Sequence, residues 1–325
     1  MKAIRFLNYG SPDVLELQEV EKPSPKDDQV LVEIVAAAAN PLDWHRLRAD
    51  PFIVRLNDGL TKPKDPRLGA DIAGRVVAAG NAVKTWQPGD EVFGEIGAGG
   101  FAEYVCVRAE QLVRKPATLS FEEAAAAPVA ALTALQGLRD KGKIQAGQKV
   151  LVNGASGGVG TFAVQMAKAL GAEVTGVCST RNLELVRAIG ADHVIDYTQS
   201  DFTRTGQRYD LILDAIGNRS VADLRRALTP QGICAVAGFT SLIGLLQIAL
   251  WGSWGGQPVS SFLAHPNQAD LETIAELLAS GKVRSVIDRR YPLAETADAI
   301  RYLETGRARG KVIIAVAQDD HSHDN

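Results

Sequence analysis

The hydrophobic rhythm of the chain changes near Ser120. Before it, short apolar or alternating runs dominate: KAIRFL, VLELQEV and QVLVEIVAA, then DIAGRVVAAG, QPGDEVFG and GFAEYVCVR. Turn signals such as YGSPD and KPSPKDD separate them, which predicts many short strands closing into a small, partly closed barrel. FEEAAAAPVAALTALQGLRDKG then shows helical spacing. From Lys149 the pattern alternates between strand and helix: KVLVNG, TFAVQMAKALG, EVTGVC, LELVRAIG, HVIDY, YDLILDAIG, VADLRRALT and GICAVAG. That alternation predicts a parallel sheet covered on both faces. VSSFLA and LETIAELLAS would add a sixth strand and a helix, and the chain closes with strand, helix and strand through KVIIAV.

Composition narrows the picture. With 325 residues, 46% hydrophobic and 22% charged, two domains are the natural division of so large a core. A net charge of -3 without a long basic run excludes nucleic acid and an anionic membrane as main partners. MKAIRFLNYG reads as a strand, not a signal peptide. The three cysteines, Cys106, Cys178 and Cys234, are odd in number and far apart, as expected of a reduced, cytoplasmic protein. Ala227 to Ala269 contains no Asp, Glu, Lys or Arg. Its glycines leave no apolar run long enough to span a bilayer, so a buried strand with a pocket lid or subunit contact is expected there. The tail QDDHSHDN reads as disordered, with its two histidines solvated.

One segment carries chemistry. KVLVNGASGGVGTFAVQMAKALG places a strand, a glycine-rich turn and a helix in succession, with Ala155, Gly157 and Gly160 at the three positions of a dinucleotide fingerprint. Small residues let the backbone approach a pyrophosphate, and the helix start presents N–H groups to it. The flanking strand and helix make Ala155, Ser156, Gly157, Gly158 and Val159 the expected phosphate cradle. About twenty residues on, NAD-specific sites usually carry a carboxylate. Here Cys178 is followed by Ser179, Thr180 and Arg181: hydroxyls and a guanidinium suited to a 2′-phosphate, hence to NADPH. The alternative is that Arg181 is merely solvated.

Together these features resemble the medium-chain dehydrogenase/reductase superfamily, and within it the zinc-free quinone oxidoreductase-like branch. The matching stretches are NPLDWH, GADIAGRVVAAG, QPGDEVFG, AAAAPVAALTALQGL, NGASGGVG and ADHVIDY. The resemblance implies an α/β protein: a GroES-like β-barrel catalytic domain at 1–122, completed by 283–325, and a Rossmann doubly wound parallel-sheet domain at 123–282. It further implies that Thr133 and the backbone of Gly238, Phe239, Thr240 and Phe262 border the nicotinamide. Tyr197 would pack near the adenosine phosphate, and Arg307 or Arg309 would reach a phosphate. A homodimer paired through the VSSFLA edge strands follows by analogy.

The superfamily also contains zinc alcohol dehydrogenases, whose ligand positions match Asn40, the Gly69-Ala70-Asp71 stretch and Val129 here, and whose cysteine-rich zinc loop is missing. Asn40 and Val129 cannot serve as Cys would, so no metal is expected. Without a Lewis acid, alcohol oxidation loses its alkoxide stabilisation. A quinone or enone spreads the incoming charge by conjugation and needs positioning and a few hydrogen bonds. In NPLDWH, Asn40 would donate its amide beside the nicotinamide, unless it only holds loop backbone. His45 would donate to the product oxygen or relay a proton, unless it faces solvent or caps a helix. Asp43 is expected to fix this loop. The expected activity is NADPH-dependent hydride transfer to a small apolar conjugated acceptor. An enone or enoyl-thioester reductase, or a low-turnover NADPH-binding structural or regulatory protein, stays open as an alternative.

Overall fold

The structure of the protein, a computed structural model, describes residues 1–52, 54–238, 242–252, 254 and 256–317. Its contacts divide the chain into two compact units. One is Met1–Val129 with Pro266–Ala279 and the segment from Ser285; the other is Ala130–His265 with Ser280–Arg284.

The first unit opens with β1 (Lys2–Phe6) and β2 (Leu15–Glu19), an antiparallel pair. The spine of its barrel is β3 (Gln29–Ala39), nearly all buried. Its alanine-rich end allows neighbours on both sides to come close. β4 (Asp71–Ala79), β5 (Glu91–Glu95), β6 (Tyr104–Arg108) and β7 (Leu112–Arg114) follow. β4 and β6 both pair antiparallel with β3, and β5 bridges β4 to β7. Phe6, Ile34, Leu47, Ile72, Phe101 and Leu112 meet in one buried cluster, and full burial of each such side chain contributes about 1.5–3 kcal/mol.

The helical stretch after Ser120 is two helices rather than one. Ser120 Oγ accepts from Glu123 N, and the Glu123 carboxylate accepts from Ser120 N, a reciprocal cap for Phe121–Ala125. Pro128 then starts the second helix, Pro128–Gln136. A proline cannot continue the first but suits a first helical position.

In the second unit β8 (Lys149–Asn153), β9 (Glu173–Cys178), β10 (His193–Asp196), β11 (Tyr209–Asp214), β12 (Leu228–Val236) and β13 (Val259–Ser261) form one sheet. Its order is β10-β9-β8-β11-β12-β13 and every pairing is parallel. This is the doubly wound order of a dinucleotide-binding domain, with its switch point beside β8. The charge-free stretch forms a helix, Leu242–Trp251, and then β13. Arg225 anchors it by donating to the carbonyls of Trp251, Gly252, Trp254 and Gln257 at 2.7–3.2 Å. Among the described residues no helix is long and apolar enough to cross a membrane. The tail from Gln318 lies outside the described residues.

The chain returns to the barrel through β14 (Ile287–Pro292) and β15 (Lys311–Ala315). β15 runs antiparallel to β3, with Val312 opposite Ala39. That register brings Lys311 level with Asn40, although 271 residues separate them. The helix Gln268–Ala279, which the strand–helix pattern had placed with the parallel sheet, belongs by its contacts to the first unit.

Candidate active site

Three strand ends of the barrel converge on a buried polar cluster. Asn40 directly follows β3, Asp71 starts β4 and Lys311 starts β15; they are 2%, 0% and 3% exposed. Lys311 Nζ donates to Asn40 Oδ1 at 2.5 Å and to Asp71 Oδ2 at 3.1 Å. Asn40 Nδ2 donates to Asp71 Oδ2 at 2.9 Å and to Ala38 O at 3.2 Å. Asp71 Oδ1 accepts from Val129 N at 2.9 Å. Both amide hydrogens of Asn40 are therefore engaged inside the protein, whereas the sequence reading had one of them available to a substrate oxygen.

Asn40 is the N-cap of the helix Pro41–Arg48, whose start is held by its own carboxylate. Asp43 accepts from Asn40 N at 2.8 Å and Gly69 N at 2.9 Å, so it fixes NPLDWH against the turn before β4. Burial pushes the Asp43 carboxyl up to about 6, against the pull of those two N–H groups. Burial also raises Asp71, with Lys311, Asn40 and Val129 N–H acting in the opposite direction. Glu95 stands opposite Asp71 across β4 and β5. Burial and then Asp71 push it up to about 8, while Lys311 lowers it. The cluster thus keeps a proton on Glu95 near neutral pH.

His45 lies on the helix Pro41–Arg48, its ring stacked on Trp44 at 3.6 Å between centroids. Its Nδ1 is 2.6 Å from Asp50 O. A carbonyl only accepts, so Nδ1 carries the hydrogen and Nε2 of the neutral ring is an acceptor. Burial lowers the His45 pKa, opposed by the Asp50 bond, so near neutral pH the ring holds no spare proton to give from Nε2.

In the second unit the cofactor candidates follow strand after strand at the carboxyl edge of the sheet, where open α/β sheets bind ligands. Ala155 to Val159 come after β8, Ser179 to Arg181 after β9, Tyr197 after β10, Gly238 after β12 and Phe262 after β13. Phe239 and Thr240 lie outside the described residues. Thr133 is half-buried on Pro128–Gln136, and Arg307 is an exposed residue of the first unit. The turn itself depends on glycine. Gly154 has φ +84, and a Cβ on Gly160 would sit 2.1 Å from Gly154 O. At Gly157 the nearest atom to a Cβ would be 3.5 Å away. That is an ordinary van der Waals contact, so the backbone beside the first turn of Gly158–Ala169 is not closed off by its neighbours.

The end of β9 differs from its sequence reading in one respect. Cys178 stands there, buried, but its parallel neighbour is Asp196 on β10. Asp196 accepts from Thr180 Oγ1 at 2.5 Å and from Thr198 N at 2.9 Å, and the Thr180 bond leads the effects that hold its pKa below the usual range. A carboxylate is therefore present near this corner, and Thr180's hydroxyl is committed to it. Asn182, to which the sequence reading gave no role, ties the two loops together: its Nδ2 donates to Ser156 Oγ at 2.9 Å and Ser179 Oγ at 3.3 Å. Lys311 and Glu95 were missed as well. Their only sequence signal was charge at the boundary of an apolar run.

The superfamily's zinc does not fit the residues present. At the matching positions Asn40's oxygen and both Asp71 oxygens already hold N–H donors, and Val129 contributes only its own N–H. Among the described residues no group of three His, Cys, Asp or Glu side chains is placed to hold a metal ion.

Comparison with known proteins agrees with this architecture. Residues 26–117 match the family model described as alcohol dehydrogenase GroES-like domain, and residues 189–314 match the one described as zinc-binding dehydrogenase. The 2-methylene-furan-3-one reductase of Solanum lycopersicum is 37% identical over 97% of this chain and 79% of its own. An NADPH-dependent alkenal/one oxidoreductase of Arabidopsis thaliana, chloroplastic, is 36% identical over the same shares. The solved quinone oxidoreductase of Coxiella burnetii superposes with a TM-score of 0.89 at 31% identity, covering 98% of this chain and 99% of its own. With the barrel, the six-stranded parallel sheet and relatives of this closeness, the chain belongs to the medium-chain dehydrogenase/reductase superfamily, in its quinone oxidoreductase-like branch.

Proposed function

We propose that the protein is an NADPH-dependent oxidoreductase that reduces a small apolar conjugated acceptor, a quinone or an α,β-unsaturated carbonyl, without zinc. The observation that carries this reading is the pairing of a glycine-built cradle with a buried site whose resident cation is an ammonium. The names of the relatives point the same way: a furanone reductase, an alkenal/one oxidoreductase and a quinone oxidoreductase.

The cofactor, when bound, supplies the hydride. The backbone of Ala155 to Val159 would hold its pyrophosphate against the helix start. Ser179 and Arg181 would hold the 2′-phosphate, and a charge-assisted contact of this kind contributes roughly 1.5–3 kcal/mol. The absence of a carboxylate at the end of β9 supports NADPH over NADH; Asp196 on the next strand tempers that preference. On the acceptor side, conjugation disperses the arriving charge, so the protein has only to orient the molecule and exclude water. Asn40 acts by position rather than by donating. His45, with its hydrogen on Nδ1, is suited to accept at Nε2 or to pass on a proton taken from solvent.

The test is NADPH oxidation against a panel of quinones, enals, enones, enoyl thioesters and simple ketones, with NADH as control. Turnover confined to conjugated acceptors and faster with NADPH is expected, with no zinc retained on elemental analysis. Tight NADPH binding with no turnover on any conjugated acceptor would reject the reading in favour of a binding role.

A further inference from the structure

The barrel buries a lysine, an aspartate and an asparagine together, at 3%, 0% and 2% exposure, where three of its strands begin or end. Removing two charges from water costs several kcal/mol per ion unless geometry is excellent, and an apolar replacement is often as stable. Stability alone is therefore a weak reason for such a cluster. Its layout is specific. The positions that match zinc ligands in the metal-bearing relatives are linked here through Asp71, by the amide of Asn40 and the N–H of Val129, and the charge at their centre is Lys311 Nζ.

We propose that Lys311 is a positioning residue whose ammonium takes the place of the metal ion: it fixes the Asn40 side chain and neutralises Asp71 between the start of Pro41–Arg48 and the start of Pro128–Gln136. The register of β15 on β3 delivers it, and its backbone N–H donates to Val286 O at 2.8 Å, which pins the strand start. Among the described residues its Nζ donates to Asn40 Oδ1 and Asp71 Oδ2. Its strong bond to the Asn40 oxygen orients that amide so that both hydrogens point to Ala38 O and Asp71. The helix Pro41–Arg48, which carries His45, is thereby fixed at its N-cap residue, Asn40. The inference rests on the proposed reaction for its catalytic consequence, but not for the positioning itself.

Two measurements separate these. The first is hydrogen exchange of the Asn40 side-chain amide by NMR, assigned by its loss in Asn40→Asp. It should be protected in the full-length wild type, and in Lys311→Met exchange should quicken by at least about tenfold, the loss expected when one strong hydrogen bond is removed. The second is steady-state kinetics of Lys311→Met and of the charge-neutral pair Lys311→Met/Asp71→Asn, which keeps the variant foldable. The double variant should recover thermal stability over the single one and bind NADPH within about threefold of wild type. Its kcat should stay about 100-fold down, the scale of losing one preorganised electrostatic contact. Unchanged amide protection in folded Lys311→Met overturns the positioning role. Wild-type kcat in the folded double variant overturns the catalytic consequence. Absence of any wild-type turnover rejects the proposed function and leaves the exchange experiment to decide the inference.

Discussion

The glycine turn proposed as a phosphate cradle and the Lys311 cluster build polar sites by opposite means. The cradle uses backbone: small residues within one continuous stretch, a left-handed Gly154 and a Gly160 with no room for a Cβ. The cluster uses side chains of residues 40, 71 and 311, brought together by sheet register. A backbone site is open until its ligand arrives and loses little stability while empty. A side-chain site buried to this degree must satisfy itself internally, because each unpaired charge is costly. The contrast teaches that the first kind of site should fail by steric insertion, and the second by charge imbalance.

The largest effect should come from unbalancing the cluster. Asp71→Ala leaves the Lys311 ammonium without its carboxylate and Val129 N–H without its acceptor. Breaking a buried pair from one side costs about 3–5 kcal/mol, to be read from chemical denaturation. A loss below about 1 kcal/mol would mean that water reaches Lys311 and that the cluster behaves as a surface pair. The cradle should respond to volume instead. Gly160→Ala places a methyl 2.1 Å from a backbone oxygen and should cost at the upper end of the roughly 1–3 kcal/mol typical of overpacking. Gly157→Ala has room for its Cβ, so its stability should stay within about 0.5 kcal/mol. NADPH binding, measured by calorimetry, should nevertheless weaken about tenfold as the methyl enters the phosphate's approach.

The same difference governs what could be read from sequence. The strand–turn–helix of residues 149–169 is local, so its glycine spacing and the alternation that follows announced the parallel sheet and its carboxyl edge. The barrel was legible as short strands with turn signals, but its pairing was not. Lys311 in GKVIIAV looks like an ordinary charge before an apolar strand; only the register of Val312 on Ala39 makes it Asn40's neighbour. Glu95 likewise became a partner of Asp71 only through the pairing of β4 and β5. Asp196 escaped for a milder reason. It follows the second strand of the fingerprint by one whole β-α unit, and parallel pairing then sets it beside Cys178.

The cluster's electrostatics also predict a pH dependence that the cradle should lack. Glu95 ionises near 4.5 when free and near 8 in the folded protein. Between those values the folded state holds the extra proton, so this group's contribution is fully present below 4.5 and is lost as pH rises to about 8. Glu95→Gln should remove that loss. Allowing for solvent screening of a half-buried group, the variant should gain on the order of 1–2 kcal/mol over wild type above pH 8, and nothing comparable near pH 4. Parallel stability curves for the two proteins across this range would show that Glu95 is ionised throughout and does not share the cluster's charge.

The smallest effects lie at the corner of the second unit where β9 and β10 end, and they test whether an exposed site follows the rules of either region. Arg181 and Ser179 supply donors there, while Asp196 holds Thr180 and keeps a negative charge nearby. Arg181→Ala should weaken NADPH binding by about one to two decades and leave NADH unchanged, since the 2′-phosphate is the group that distinguishes the two nucleotides. Asp196→Asn should act in the opposite direction. It removes a charge that repels the phosphate and weakens the acceptor that holds Thr180's hydroxyl. Solvent and salt screen this charge strongly, so the gain in NADPH affinity should be only a few-fold and should shrink as ionic strength rises. Paired titrations of both nucleotides at low and high salt check the two variants together. A salt-independent change in Asp196→Asn would mean that the residue acts through the hydrogen bond to Thr180, as a side-chain site does, and not through its charge.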